Sequence, residues 1–224
     1  TGSFNSSATF GSTTLTSNGV DDIFVTKLGT LATNTPPNIT LSGVAPSYTE
    51  NAAPVVIDSN ATVTDSDSPN FNNGTLTVQF TANGTADDRL AIRHQGNSAG
   101  QIGLDGRIIL FGGVQIGTFA GGIGTDPLVI SLNASATPTI TEALLRNITY
   151  ANASDNPSTA ARTVSFVLTD GGGGTSNTVT KNISVTGVND APSVLRNFTL
   201  YNSSLNTLPQ NQGVFQYQNL PLGT

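Results

Sequence analysis

Short segments of alternating apolar and polar residues recur along most of this chain, and each predicts a β-strand with one buried face. In the clearest segment Leu76, Val78 and Phe80 are apolar, and Thr77 and Gln79 separate them. Side chains of a strand point alternately to its two faces, so the three apolar residues share a face. Similar segments predict further strands at 39–41, 47–51, 55–58, 89–94, 107–111, 114–119, 128–132, 148–151, 162–169 and 176–188.

A helical pattern is predicted for one segment, 139–146. Thr139 or Thr141 is a suitable N-cap, and Glu142 suits the first turn of such a helix. Many short strands separated by Gly, Asn and Pro are typical of two packed antiparallel sheets. The sequence therefore predicts an all-β fold, an antiparallel β-sandwich with one short helix, flanked by partial β segments.

Two proline-containing linkers divide the chain. Pro36 and Pro37 stop both helices and central strands, and Pro192 ends a similar stretch. We expect four parts, namely a β-hairpin at 1–32, a linker at 33–37, a sandwich at 38–192, and a β segment of a following domain or a strand-exchange tail at 193–224.

Composition narrows the function classes. The chain has 8 basic and 14 acidic residues and a net charge of −6, so it has no basic footprint for nucleic acid. It has no long apolar run that would span a membrane, and no cysteine for disulfides or thiolate metal sites. Abundant Ser, Thr, Asn and Gly with few charges indicate a secreted, strand-rich protein. The chain begins with Thr and contains no Met, so we expect it to be a piece of a longer protein.

The segment before the clearest strand contains Asp65 and Asp67, followed by Asn72 and Asn73. Carboxylate and amide oxygens clustered in a loop are the ligands that Ca²⁺ prefers. Asp, Asn, Ser and Pro also favour plain solvated turns. Both interpretations remain open at this point.

Several motifs together resemble the cadherin-like repeats of large bacterial surface proteins. They are Tyr48–Asn51 (YTEN), Asp65-x-Asp67, Leu168–Gly172 (LTDGG), Val188–Pro192 (VNDAP), and the segments QIGLDG, GGVQIGT, LLRNITYANASDNPS and RTVSFVLTDGG. The resemblance covers about 37–192 and implies an Ig/cadherin-like sandwich that binds Ca²⁺ at its two ends.

The resemblance implies two sets of calcium ligands. At the N-terminal end they are Asp65, Asp67 and Asp170, with Asn72 or Asn73 adding an oxygen; at the C-terminal end they are Glu50, Asn189 and Asp190. The first linker has Thr35 where the second has Asp190, which removes one ligand.

The two ends have different patterns. Residues 8–29, ATFGSTTLTSNGVDDIFVTKLG, resemble one repeat of a bacterial β-propeller, with a hairpin predicted at Asn18-Gly19. Near the other end, 199–201 and 214–217 read as two strands. Neither end can bury a core alone, so each is either part of a neighbouring domain or a strand exchanged with another copy of the chain, which would build a filament.

No catalytic constellation is predicted. His94 is the one histidine, and Glu50 and Glu142 are the two glutamates. We therefore expect a non-catalytic structural or adhesive module, stabilised by Ca²⁺, whose partners are other copies of itself or neighbouring domains. The alternative is a carbohydrate-binding accessory module for surface glycans, although the chain has no Trp.

Lys181 shares the inward parity of Val179 and Ile183, and a snorkelling side chain or a Lys–Asn cross-link would explain it.

Overall fold

The computed structural model describes residues 33–190 as one continuous run, together with 2–4, 6–10, 13–19 and 22–24. The described residues form β1 (Gly2–Phe4), β2 (Ser7–Phe10), β3 (Thr13–Thr16), β4 (Asp22–Phe24), β5 (Asn38–Thr40), β6 (Ser47–Thr49), β7 (Val55–Val56), β8 (Thr62–Thr64), β9 (Thr75–Ala82), β10 (Asp88–Ile92), β11 (Ile102–Asp105), β12 (Ile108–Phe111), β13 (Val114–Ala120), β14 (Leu128–Leu132), α1 (Pro138–Leu145), β15 (Ile148–Asn152), β16 (Arg162–Leu168) and β17 (Val179–Thr186). The chain divides into two units, Thr1–Val188 and Asn189–Thr224, and the description below concerns the first.

The main sheet has eight strands in the order β11-β12-β13-β14-β9-β16-β17-β6. Its neighbouring strands are antiparallel, except that β6 runs parallel to β17. A second sheet has three antiparallel strands in the order β10-β15-β7, and β5 pairs with β8 in a separate ribbon.

The two larger sheets pack face to face around one core. Tyr150 of β15 contacts Tyr48 of β6 edge-to-face at 5.3 Å between ring centroids, and Phe80 of β9 at 6.1 Å. The Tyr48 hydroxyl donates to the carbonyl oxygen of Asn152 at 2.9 Å across the same interface. Leu76 and Val78 are buried and Phe80 is half-buried, as the alternating pattern predicts. The all-β antiparallel sandwich with one short helix in the described residues is thus confirmed.

The helix begins earlier than the sequence indicates. Its N-cap is Thr137, whose side chain accepts a hydrogen bond from the backbone N–H of Ile140, and Pro138 occupies the first turn. The predicted caps Thr139 and Thr141 are wrong because Pro138, which needs no hydrogen-bond partner for its nitrogen, starts the helix. Glu142 accordingly lies beyond the first turn, where it forms an ion pair with Arg146 at 2.7 Å.

Within 33–190, two short strands, β8 and β11, lie outside the predicted strand segments. Each has three or four residues, and β11 contains Gly103, which weakens a strand pattern. Hydrogen bonds to a neighbouring strand stabilise these two strands although their own sequences do not predict them, since β8 pairs with β5 and β11 pairs with β12.

The four strands described within 2–24 pair differently from the hairpin predicted at Asn18-Gly19. β2 pairs with β3, and β1 pairs with β4. Asn18 and Gly19 therefore connect β3 to β4, which are not paired with each other in the described residues, so the hairpin prediction at this turn is wrong. The strands predicted at 199–201 and 214–217 lie outside the described residues.

Candidate functional site

Asp65 organises the turn between β8 and β9. Its Oδ1 accepts hydrogen bonds from the backbone N–H groups of Asp67 at 3.1 Å and Ser68 at 3.0 Å. Its Oδ2 is buried and has no hydrogen-bond partner among the described residues. A buried carboxylate oxygen without a partner is costly, so it marks a position where a ligand would be stabilised.

Asp170 follows β16 and is almost completely buried. The glycine-rich loop after it folds around the carboxylate, and Oδ1 accepts from the backbone N–H groups of Gly172 at 2.7 Å and Gly174 at 2.9 Å. A Cβ on Gly174 would lie 2.2 Å from Asp170 Oδ2, so glycine is needed for this wrapping. Its Oδ2 accepts from the side-chain amide of Asn34 at 2.7 Å.

These hydrogen bonds set the charge of Asp170. Burial alone would raise its pKa, but the bonds from Asn34, Gly174 and Gly172 outweigh burial and hold the pKa below its ordinary value. The carboxylate is therefore ionised at neutral pH and is available as an anionic ligand.

The first linker connects the two acidic segments. Asn34 contacts Asp170, and the backbone N–H of the next residue, Thr35, donates to Asp67 Oδ2 at 2.9 Å. A cleft of about 240 Å³ at this place is lined by Thr35, Pro36, Asn38, Thr64, Asp65 and Ser66. Two of the predicted ligands, Asp67 and Asp170, are thus hydrogen-bonded to consecutive linker residues, and Asp65 lines the cleft beside them. Asn34 is an added candidate that the sequence analysis missed. The matching position of Asn189 in the second linker was the signal that could have identified it.

The asparagines of the turn lie against the loop of Asp170. A Cβ on Gly171 would lie 1.9 Å from the Asn72 carbonyl oxygen, which places the two backbones in contact. The Asn72 side chain is exposed, and Asn73 is also exposed with a φ of 63°. Among the described residues, no group of three or more His, Cys, Asp or Glu side chains has the arrangement of a metal site. The calcium site therefore stays a prediction.

Glu50 lies at the opposite end of the module. It is 4% exposed, and its Oε2 accepts from the backbone N–H of Val188 at 2.7 Å. Its Oε1 is buried and finds no hydrogen-bond partner in the part of the chain that the structure describes. Asn189 and Asp190 are exposed and begin the second unit of the chain, so the second site also stays a prediction.

A buried ion pair accounts for Lys181. Its Nζ donates to Asp58 Oδ2 at 2.7 Å and to Ser42 Oγ at 3.2 Å. Ser42 also donates its backbone N–H and its hydroxyl to the same carboxylate oxygen, at 2.7 and 3.0 Å. The side chains of Lys181 and Asp58 are 5% and 2% exposed. The partner is an aspartate rather than an asparagine, and the strand parity indicated the burial without indicating the partner.

A second buried network surrounds Asp88. Its Oδ1 accepts from the hydroxyl of Tyr150 and the amide of Asn152, each at 2.6 Å, and Arg162 Nε lies 3.3 Å from both of its oxygens. Burial raises the pKa of the Tyr150 hydroxyl, and the neighbouring Asp88 raises it further. Nothing in the local sequence distinguishes Asp88 from Asp87, because Arg162 is far away in the chain.

His94 serves the edge of the main sheet. Its Nδ1 accepts from the backbone N–H of Leu104 on the edge strand β11 at 2.8 Å. The side chain of Gln95 accepts in the same way from Ile102 at 3.1 Å. These contacts satisfy N–H groups that an edge strand would otherwise leave open.

The chain matches no protein-family model, no curated protein and no solved structure. Among the described residues, no helix is long and apolar enough to cross a membrane. The fold and the acidic turns define the chain as an all-β sandwich with buried carboxylates at both ends of its module.

Proposed function

We propose that this chain is a non-catalytic structural or adhesive module of a large extracellular surface protein, stabilised by Ca²⁺ where the first linker joins the sandwich. The observation that carries the proposal is Asp65 Oδ2, which is buried next to the linker and has no hydrogen-bond partner within the described residues. Asp67 and Asp170 are both hydrogen-bonded to that linker.

The ligands would be Asp65, Asp67, Asp170 and the side-chain oxygen of Asn34. Carboxylates that approach one another repel unless a cation lies among them, and carboxylate and amide oxygens match the preference of Ca²⁺. Rotation of the Asn34 amide would present its oxygen in place of the nitrogen that now donates to Asp170. Asn72 is the further oxygen source that the family resemblance implies.

The function of such a site would be mechanical. The linker would be held to the turn of Asp65 and to the loop of Asp170 by one ion, which fixes the direction in which the preceding segment enters the module. Stiff connections of this kind suit a long adhesive stalk or a filament.

In the filament, strands from the chain ends would be exchanged between copies. Deletion of 193–224 would then leave a folded protein that sediments as a monomer in analytical ultracentrifugation.

The test is the thermal midpoint measured with Ca²⁺ and with a chelator. A ligand at about one hundred times its Kd stabilises the native state by about 2.7 kcal/mol, so the midpoint should rise by several degrees. The Asp65→Asn, Asp67→Asn double variant should lose this rise. Asp155→Asn, which changes an exposed carboxylate away from the linker, is the matched control and should keep it.

A wild-type midpoint that is the same with Ca²⁺ and with chelator would contradict the calcium proposal. An equal rise with Mg²⁺ would contradict the selectivity, because Mg²⁺ requires a stricter octahedral geometry.

A further inference from the structure

Two arginines that form no ion pair within the described residues line one cleft. In the described part of the chain the ion pairs involve Arg146, Arg162 and Lys181. Arg89 and Arg107, which take no part in them, both line a cleft of about 380 Å³, and no acidic side chain lines it. A chain with a net charge of −6 thus carries a local positive site.

The arginines are held in different ways. Arg89 Nη1 donates to the carbonyl oxygens of Ala86 at 2.8 Å and Asp88 at 2.7 Å, which fixes the guanidinium at the side of the cleft. Arg107 is exposed, and its Nη1 lies 3.5 Å from the carbonyl oxygen of Phe119. The remaining N–H groups of both side chains make no hydrogen bond within the described residues, so they are available to an anion.

The rest of the cleft is apolar side chain and bare backbone. Phe119 is half-buried, and Ile123 is 65% exposed. Gly121 and Gly122, with φ of 77° and 83°, supply a surface without side chains. A Cβ on Gly122 would lie 2.2 Å from the Leu90 carbonyl oxygen, so this part of the cleft stays bare. A ligand here meets guanidinium donors next to an aromatic ring.

The backbone of the cleft is not open to a peptide strand. β10 is an edge strand of the three-stranded sheet. The backbone N–H of Leu90 on its open side already donates to the Gly122 carbonyl oxygen at 2.9 Å, so it is not free to pair with a new strand. Gly124 in turn donates to the Asp88 carbonyl oxygen at 2.9 Å. Strand addition, which is the usual way to bind an extended peptide at a sheet edge, is therefore blocked.

We propose that this cleft binds a uronic acid residue of an acidic polysaccharide. The sugar carboxylate would accept hydrogen bonds from Arg89 and Arg107, which match planar carboxylates. The apolar face of the pyranose ring would lie on Phe119. The volume lies within the range of small-ligand sites. This proposal does not depend on Ca²⁺.

The experiment is isothermal titration calorimetry of the full chain with tetragalacturonic acid in the presence of a chelator. The fully methyl-esterified tetramer is the control ligand, because it keeps the sugar and removes the charge. We expect the acid form to bind and the ester to bind little. In Arg107→Gln the affinity for the acid form should be about tenfold lower, because a charge-assisted hydrogen bond is lost.

Control variants separate this cleft from the general charge of the protein. Arg93→Gln removes another cation that takes part in no ion pair of the described residues, and it should leave the affinity unchanged. Arg107→Lys should recover part of the loss. Circular dichroism of each variant verifies folding, and Arg107 is exposed, so its replacement leaves the core intact.

Three results would overturn the proposal. One is absence of binding to tetragalacturonic acid. Another is binding that persists in the Arg89→Gln, Arg107→Gln double variant. The third is tighter binding of tetraglutamate or of a thymidine tetranucleotide, which would assign the cleft to an acidic peptide or to nucleic acid.

Discussion

Replacing Lys181 with Met would remove the charge from a buried ion pair while keeping a long apolar side chain. Nζ of Lys181 contacts Asp58 Oδ2 at 2.7 Å, and both side chains are almost fully buried. The variant leaves the Asp58 carboxylate inside the protein without its cation. We therefore expect a large loss of stability, because a buried charge without a partner is far from the water that would solvate it.

The remaining contacts of Asp58 set the size of the loss. Breaking a buried pair costs about 3–5 kcal/mol. The backbone N–H of Ser42, its hydroxyl, and the backbone N–H of Asn60 still donate to the carboxylate. We therefore expect the lower end of that range, about 3 kcal/mol, which for a chain of this size lowers the thermal midpoint by roughly 6–12 °C.

Urea denaturation of four proteins forms a double-mutant cycle that tests this reasoning. They are the wild type, Lys181→Met, Asp58→Asn and the double variant. The double variant should lose less stability than the sum of the single variants, because it contains no unpaired charge, with a coupling of about 1–2 kcal/mol. A loss below about 1 kcal/mol in Lys181→Met, or strict additivity, would refute the charged buried pair.

Two further predictions concern acid and the sheet edge. Burial would raise the pKa values of Asp58, Asp88 and Asp170, but hydrogen bonds outweigh it and hold these values below the ordinary range, so the unfolded state binds more protons at low pH. The free energy of unfolding from urea titrations should therefore be level above about pH 5 and should fall as the pH drops through about 4. A free energy of unfolding that stays level down to about pH 3 would contradict this. His94→Ala removes the acceptor of the Leu104 N–H, so hydrogen exchange measured by NMR should accelerate at Leu104. Gln95→Ala removes the acceptor of the Ile102 N–H and should accelerate exchange at Ile102. Exchange rates that equal those of the wild type at both amides in both variants would show that these side chains do not protect the edge.

The alternation of apolar and polar residues predicted those features of the fold that depend only on neighbouring residues in the sequence. Leu76 and Val78 are buried because a strand of period two has one inward face. The partner of Asp88 could not be predicted, since Arg162 is 74 residues away and only the packing of the sheets brings them together. For the candidate site, the Asp-x-Asp spacing predicts Asp65 and Asp67 as ligands, and this stays a prediction. The contact of Asn34 with Asp170 could not be predicted, because it joins residues 136 positions apart in the sequence.

The buried unpartnered carboxylate oxygens lie at opposite ends of the module. β16 and β17 are antiparallel, so Asp170, which follows β16, and Val188, which follows β17, lie at opposite ends of this strand pair. Asp65 shares the end of Asp170 through the linker contacts, and Glu50 shares the end of Val188 through a hydrogen bond. Each of these two carboxylate oxygens, which have no partner among the described residues, thus lies near a point where the chain enters or leaves the sandwich. A cation at either position would satisfy a costly buried acceptor and restrain a linker in the same step, which is why we propose that binding Ca²⁺ and stiffening the chain are one function.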